Sequence, residues 1–327
     1  MLSLSDIVNV KVGIGRGVFE APGATVIGGK KPSFNLEILK LFANGEQGFW
    51  YDPNDLNTMY QDAVSNFLVT DTGQPIGLML DKSAGLSYGP ELISGGNFEA
   101  GLIGTKTDES GSESTWDLNT VNPISGTSDG LLTITAVGSF RPVLRFDRTT
   151  ATVKGKVYEV TFDYKVVSGS VTIGLATAAA RAFSRTLSGS GRIKLVYVAT
   201  FTNMQEAFYF RGSTGAVQID NVSSREIIGN HAYQTTSAAR PILQDAPRRI
   251  DFDAIDDKLI TNLPAQLTGC TVVRAVPGVG VQLLTNQTIP ATYEDNKDHC
   301  GLIVINRALT PSETSAITAE FNKRAGV

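Results

Sequence analysis

Between residues 91 and 226 the chain is written in short runs where apolar and polar residues alternate. In the clearest run, Tyr158, Val160, Phe162, Tyr164 and Val166 share one parity, and Glu159, Thr161, Asp163 and Lys165 fill the other. That period of two marks a strand with one buried face. Ile193, Leu195, Tyr197, Ala199 and Phe201 repeat it. The pattern predicts strands at 131–137, 142–147, 156–167, 171–176, 192–201, 207–211 and 216–222, with turns such as Ser188-Gly189-Ser190-Gly191 between them. Burying one large side chain of such a stripe contributes about 1.5–3 kcal/mol, against about 1–2 kcal/mol of backbone entropy per ordered residue. One strand therefore cannot stand alone, and seven or more at short spacing predict a two-sheet sandwich.

The flanks are patterned differently. Residues 1–45 are turn-rich; Gly13-Ile14-Gly15-Arg16-Gly17 lacks the glycine spacing of a dinucleotide loop and reads as turns between short strands. This stretch is expected to be an N-terminal arm that docks on a neighbouring subunit. Within it, 36–42 fits either a short helix or a strand. At the other end, Thr310-Pro311-Ser312-Glu313 is a capping box with proline at the first helical position. Ile317 and Phe321 follow one turn apart, then Lys323, Arg324 and Gly326, so a short C-terminal helix is predicted.

A length of 327 residues suggests two or three domains, since single cores rarely outgrow about 250–300 residues. The 28 basic and 32 acidic residues leave a net charge of -4, with no basic run longer than two, which argues against nucleic acid as a partner. The start lacks the features of a secretory signal, and no apolar run approaches the roughly 18 residues of a span. A soluble protein made in the cytoplasm is expected, without membrane insertion. Cys270 and Cys300 are too few for a disulfide framework or a thiolate zinc site and are expected to be buried and reduced.

Candidate chemistry is sparse. The only histidines are His231 and His299. His299 adjoins Cys300, but neighbours along a strand point to opposite faces, so adjacency makes no nucleophile–base pair. Asp251, Asp253, Asp256 and Asp257 form either a solvated turn, a calcium site or paired carboxylates for glycoside hydrolysis. Trp50 and Tyr51 form either a stacking platform for a sugar or an anchor for a core. No catalytic residues are assigned.

Residues 91–226 resemble the jelly-roll carbohydrate-binding modules, through the corner at Asn97–Gly101, Trp116 after it, and the closing Ile219-Asp220-Asn221-Val222. That resemblance implies sugar contacts by exposed aromatics among Trp116, Tyr197 and Tyr209, although most aromatics on alternating strands are core. It also implies a structural calcium at Glu99 and Asp220, with a capped turn or bulge at Asp220-Asn221 as the alternative. No cofactor is otherwise required.

Gly48-Phe49-Trp50-Tyr51-Asp52-Pro53, Asp81-Lys82-Ser83 and Gly229-Asn230-His231-Ala232 resemble the opening of tailed-bacteriophage virion and tail-associated proteins. Ile250-Asp251-Phe252-Asp253 and the end from Gly301 resemble concanavalin-like and laminin-G-like lectin domains. In those phage proteins the Asp-Lys-Ser phrase runs almost directly into Gly-Asn-His-Ala, whereas 145 residues separate Ser83 from Gly229 here. The expected architecture is all-β: a discontinuous lectin-like sandwich from 46–83 and 229–327, and an inserted jelly-roll module at 84–228 that opens with a linker at 84–90. The resemblance implies a non-enzymatic virion protein that sits on the tail or is displayed on the surface. It would bind host-surface glycans, contact other virion proteins and form a homo-oligomer, with a trimer favoured. Capsid decoration is the alternative in the same class; a glycan-cleaving depolymerase is the alternative in another.

Overall fold

The computed structural model describes residues 33–65, 67–99, 105–108, 115–119, 131–137, 142–145, 148–177, 180–199, 207–211 and 214–327. The Gly13–Gly17 stretch and most of the expected arm lie outside the described residues. Residues 36–42 resolve as helix: α1 (Phe34–Leu41) buries Ile38 and Leu41 and belongs to the same compact unit as the rest of the described chain, Phe34–Val327.

The architecture is all-β. The segment before residue 84 supplies β1 (Gly48–Tyr51), β2 (Met59–Tyr60), β3 (Val64–Ser65) and β4 (Leu78–Met79). Residues 84–228 supply β5 (Tyr88–Glu91), β6 (Thr105–Asp108), β7 (Thr115–Asn119), β8 (Leu131–Val137), β9 (Pro142–Arg145), β10 (Val157–Gly169), β11 (Val171–Thr177), β12 (Ala180–Leu187), β13 (Ser190–Val198), β14 (Ala207–Arg211) and β15 (Thr214–Ile227). The last segment supplies β16 (Ala232–Tyr233), β17 (Ile242–Gln244), β18 (Arg249–Asp251), β19 (Leu259–Asn262), β20 (Leu267–Val276), β21 (Gly280–Ile289), β22 (Thr292–Asp295), β23 (Leu302–Ile305) and α2 (Pro311–Ala325).

Two sheets draw strands from both flanks of residues 84–228, and together they form the base. The first has the order β1-β23-β20-β21 and the second β2-β4-β16-β19-β22. Antiparallel register sets Trp50 opposite Ile303 and Tyr51 opposite Leu302. Alternation along these strands therefore feeds two cores. Phe49, Tyr51, Val272, Leu302 and Val304 pack against the second sheet with Met59, Met79 and Leu259. Trp50, Val273, Ala275, Ile303 and Ile305 pack beneath the helices with Ile38, Ile317 and Phe321. Gly48, at φ +148°, permits the close approach of β1 to β23, because a side chain there would run into the Val304 carbonyl.

Helix α2 follows the sequence signals. The Thr310 hydroxyl accepts from the Glu313 N–H at 3.3 Å, the Glu313 carboxylate accepts from the Thr310 N–H at 2.7 Å, and Gly326 closes the helix at φ 83°.

Residues 84–228 form the expected two-sheet sandwich. A seven-stranded sheet contains β3-β13-β10-β15-β8-β7 with β5 beside β15, and faces a five-stranded sheet β12-β11-β14-β9-β6. Tyr158, Val160, Phe162, Tyr164, Ile193, Leu195 and Tyr197 fill the core between them. The opposite parity is polar along most of β10, but turns apolar where this sheet meets the base. There Val157, Val196, Val198 and Ile227 pack on Tyr60, Leu78 and Leu80.

Two strands cross the expected boundaries. The expected linker ends in β5, which pairs Tyr88 with Ile227 and Glu91 with Arg225. From the base, β3 pairs with β13, setting Val64 opposite Tyr197.

Candidate functional site

Asp81-Lys82-Ser83 and Gly229-Asn230-His231 meet where the chain leaves and re-enters the base. The buried Asp81 carboxylate accepts four hydrogen bonds of 2.8 Å, from the backbone N–H groups of Trp50, Ser83 and Asn230 and from the Ser83 hydroxyl. Burial pushes its carboxyl up to about 6, with those backbone donors opposing. His231 Nδ1 accepts from the Asp81 N–H at 2.9 Å, which leaves the ring proton on Nε2, 2.9 Å from the Ile227 carbonyl. Burial lowers the His231 pKa to about 4. The Asn230 amide donates to the Gly48 carbonyl at 2.7 Å, and Tyr51 donates its hydroxyl proton to the Asn230 carbonyl at 2.5 Å. A side chain at Gly229, at φ +150°, would press on both His231 and Asp81. These groups saturate one another, which makes this a structural joint rather than a reaction centre.

The sequence places Trp50 and Tyr51 as one of two things, and the structure corrects the sugar platform. Their exposures are 0% and 1%. Trp50 lies edge-on to Phe34 at 6.3 Å, with the Lys82 ammonium 4.4 Å above its ring. Lys82 is held there by Asp52 at 3.0 Å and Asp55 at 2.8 Å, and Asp52 also takes Arg324 at 2.7 Å. Tyr51 stacks on Phe49 at 4.8 Å. Both rings are buried because the four-stranded sheet is covered on both faces.

Tyr197 is likewise corrected. It is 0% exposed, stacks on Tyr158 at 5.8 Å, and its hydroxyl accepts from Arg148 at 2.9 Å. Trp116 stands opposite Ile134 in the seven-stranded sheet, and Tyr209 stands opposite Gly174 and Val143 in the five-stranded sheet; the side chains of both lie outside the described residues.

At the expected calcium position, Glu99 is exposed and Asp220 is 2% exposed. Asn221 sits at φ 52°, beside a register break in the pairing of β10 with β15. Asp220 accepts from the Asn221 N–H at 2.7 Å and from its amide at 3.2 Å. That geometry is a bulge supported by its own side chains. The acidic set of the last segment divides: Asp251 pairs with Arg249 at 2.8 Å, while Asp253, Asp256 and Asp257 cluster. Asp253 Oδ1 accepts from the N–H groups of Ile255, Asp256 and Asp257 at 2.8–3.2 Å, so the cluster is a self-capped turn.

His299 is buried and faces away from Cys300, whose thiol lies in the core beneath α2 and is pushed up to about 11 by burial. Instead His299 Nε2 lies 3.0 Å from Asp295 Oδ2, and Arg274 reaches Asp295 Oδ1 at 2.7 Å. Burial opposes ionisation of Asp295, yet Arg274 and His299 bring its carboxyl down to about 2. Above this group an open cleft of about 340 Å³ separates β21 from β22. Arg274 and Asp295 belong to none of the sequence motifs above; their signal is a lone cation within the apolar run Val272–Val276 and a carboxylate four residues before a histidine.

No family model matches the chain, and no curated protein matches it. Solved structures similar to part of it include the family 11 carbohydrate-binding module of a cellulosomal cellulase of Clostridium thermocellum. That match has 14% identity, covers 44% of this chain and 97% of the module, and has a TM-score of 0.30. An adhesin domain of Lys-gingipain from Porphyromonas gingivalis matches at 15% identity over 43% of this chain and 99% of that domain, with a TM-score of 0.34. The enzymatically active domain of tailspike protein 4 of bacteriophage CBA120 matches at 15% identity over 42% of this chain and 21% of that domain, with a TM-score of 0.33. Likeness this slight places the chain in no family.

Proposed function

We propose that this protein is a non-enzymatic component of a tailed-phage virion, tail-associated or displayed on the surface, whose base holds the particle and whose residues 84–228 present a glycan-binding sandwich to the host. The observation that carries the proposal is the Asp81–His231 joint. The phrase that resembles phage virion proteins is the same phrase whose buried hydrogen bonds fix both ends of residues 84–228 to the base. With Val157, Val196 and Ile227 packed on Tyr60 and Leu78, the sandwich is set on its base as one body, which suits presentation. A binding rather than a cleaving role is supported at the acidic turn by Asp253, whose Oδ1 is taken by the Ile255 and Asp257 N–H groups.

Immunoblotting of purified virions split into heads and tails tests the assignment. The protein is expected in the tail fraction. Recovery with heads supports capsid decoration instead, and absence from virions overturns the proposal. Light scattering of the purified protein is expected to give a homo-oligomer, with a trimer favoured.

A further inference from the structure

We propose that the cleft between β21 and β22 is a saccharide-binding site of the base, taking a neutral mono- or disaccharide unit; it rests on the glycan-binding function proposed above and adds a site that the aromatic pattern does not mark. On one wall, cross-strand pairing sets Gln282 beside Arg274 and Leu284 beside Val272. On the other wall stand Tyr293 and Asn296. A volume of about 340 Å³ falls within the range of small-ligand sites, which combine apolar lining with a few placed polar groups.

The chemistry of the lining selects an uncharged, polyhydroxylated ligand. Most of the charge at the cleft is already spent: Arg274 bonds Asp295 and the Lys297 carbonyl, each at 2.7 Å, and Glu294 is tied to Lys258 at 3.1 Å. Of the charged lining only Lys297 has no ion-pair partner among the described residues, and its ammonium is exposed to water; the rest of the free polar lining is neutral. Gln282 and Asn296 are exposed, and neither side chain has a hydrogen-bond partner among the described residues. Each amide offers both donors and an acceptor, as sugar hydroxyls require.

Tyr293 is positioned between the two kinds of lining. Its ring lies 5.4 Å from Phe49, which fixes its angle. Its oxygen accepts from Arg274 Nη2 at 3.2 Å, so the hydroxyl proton is left to donate elsewhere. Burial, reinforced by the charge of Asp295, holds the phenol protonated far above the usual range. Leu284, 41% exposed, offers an apolar surface for the carbon face of a pyranose ring. Arg274 and Asp295 act through Tyr293 and are positioning residues.

Saturation-transfer NMR on the full-length protein tests this, with a panel of neutral and uronic-acid oligosaccharides as probes. The variants are Gln282→Ala and Asn296→Ala, both exposed and outside the cores, with thermal unfolding as the check on folding. Binding of a neutral saccharide by the wild type, weakened about tenfold or more in either variant, is the expected result. Neutral-saccharide binding that both folded variants retain overturns the cleft and leaves the glycan-binding function standing elsewhere. Binding confined to uronic acids overturns the neutral class. No saccharide binding by the wild type overturns both the cleft and the glycan-binding function.

Discussion

The backbone N–H of Asn230 donates to Asp81 Oδ2 at 2.8 Å, across a sequence separation of 149 residues. This bond ties together the two ends of residues 84–228, and the carboxylate that accepts it serves three further donors. Replacing Asp81 by alanine leaves those donors buried and unpaired, so Asp81→Ala is expected to cost about 3–5 kcal/mol. Asp81→Asn keeps one acceptor oxygen and is expected to cost about 1–3 kcal/mol. Denaturant unfolding measures both; a cost below about 1 kcal/mol for Asp81→Ala would remove the joint from the account.

Two groups in the same joint contribute in opposite directions to stability near pH 5. His231 titrates at about 4 when folded and near 6.5 unfolded, so its stabilising contribution is present above pH 6.5 and lost as pH falls toward 4. By pH 5 that loss is about 2 kcal/mol. Asp81 is raised to about 6 from about 3.9 unfolded, so it contributes in the opposite direction, about 1 kcal/mol gained by pH 5. The wild type should lose only about 1 kcal/mol between pH 7 and pH 5 from this pair, whereas the loss should turn into a gain in His231→Gln. Parallel pH dependences in the two proteins would contradict the assignment.

Trp50 is a core residue, and Trp50→Ala is expected to cost about 3–5 kcal/mol. Partial truncation to phenylalanine should reduce stability without changing which saccharides bind. A folded Trp50→Phe protein with selectively lost saccharide binding would restore the sugar platform.

The bulge at Asp220 is held by bonds from the Asn221 N–H and amide to its two oxygens. Chelation with EDTA should leave the thermal midpoint unchanged. A fall on chelation, restored by calcium and abolished in Asp220→Asn, would place an ion at Glu99 and Asp220.

Much of this was legible wherever one buried face dictates the pattern. The expected strands at 131–137 and 207–211 match β8 and β14 to the residue, and the capping box at Thr310 forms as written. Strand β12 escaped because Ala180, Arg181, Ala182 and Ser184 carry little strand propensity; it exists through its pairing with β11. The two-residue β3 is defined only by its partner. Trp50 and Tyr51 were ambiguous for a physical reason: alternation shows that they face opposite ways, but not that both faces of their sheet are covered. The cleft was hidden because Gln282 and Asn296 are ordinary surface residues, on segments from two different sheets, until the fold brings them to one opening.

The most direct measurement is binding of the purified full-length protein to an array of bacterial surface polysaccharides, with polymer integrity followed on the same spots. Saturable binding that leaves the polysaccharide intact is the predicted result. Binding to none of them, or progressive loss of polymer from the spots, would contradict a glycan-binding protein that does no chemistry.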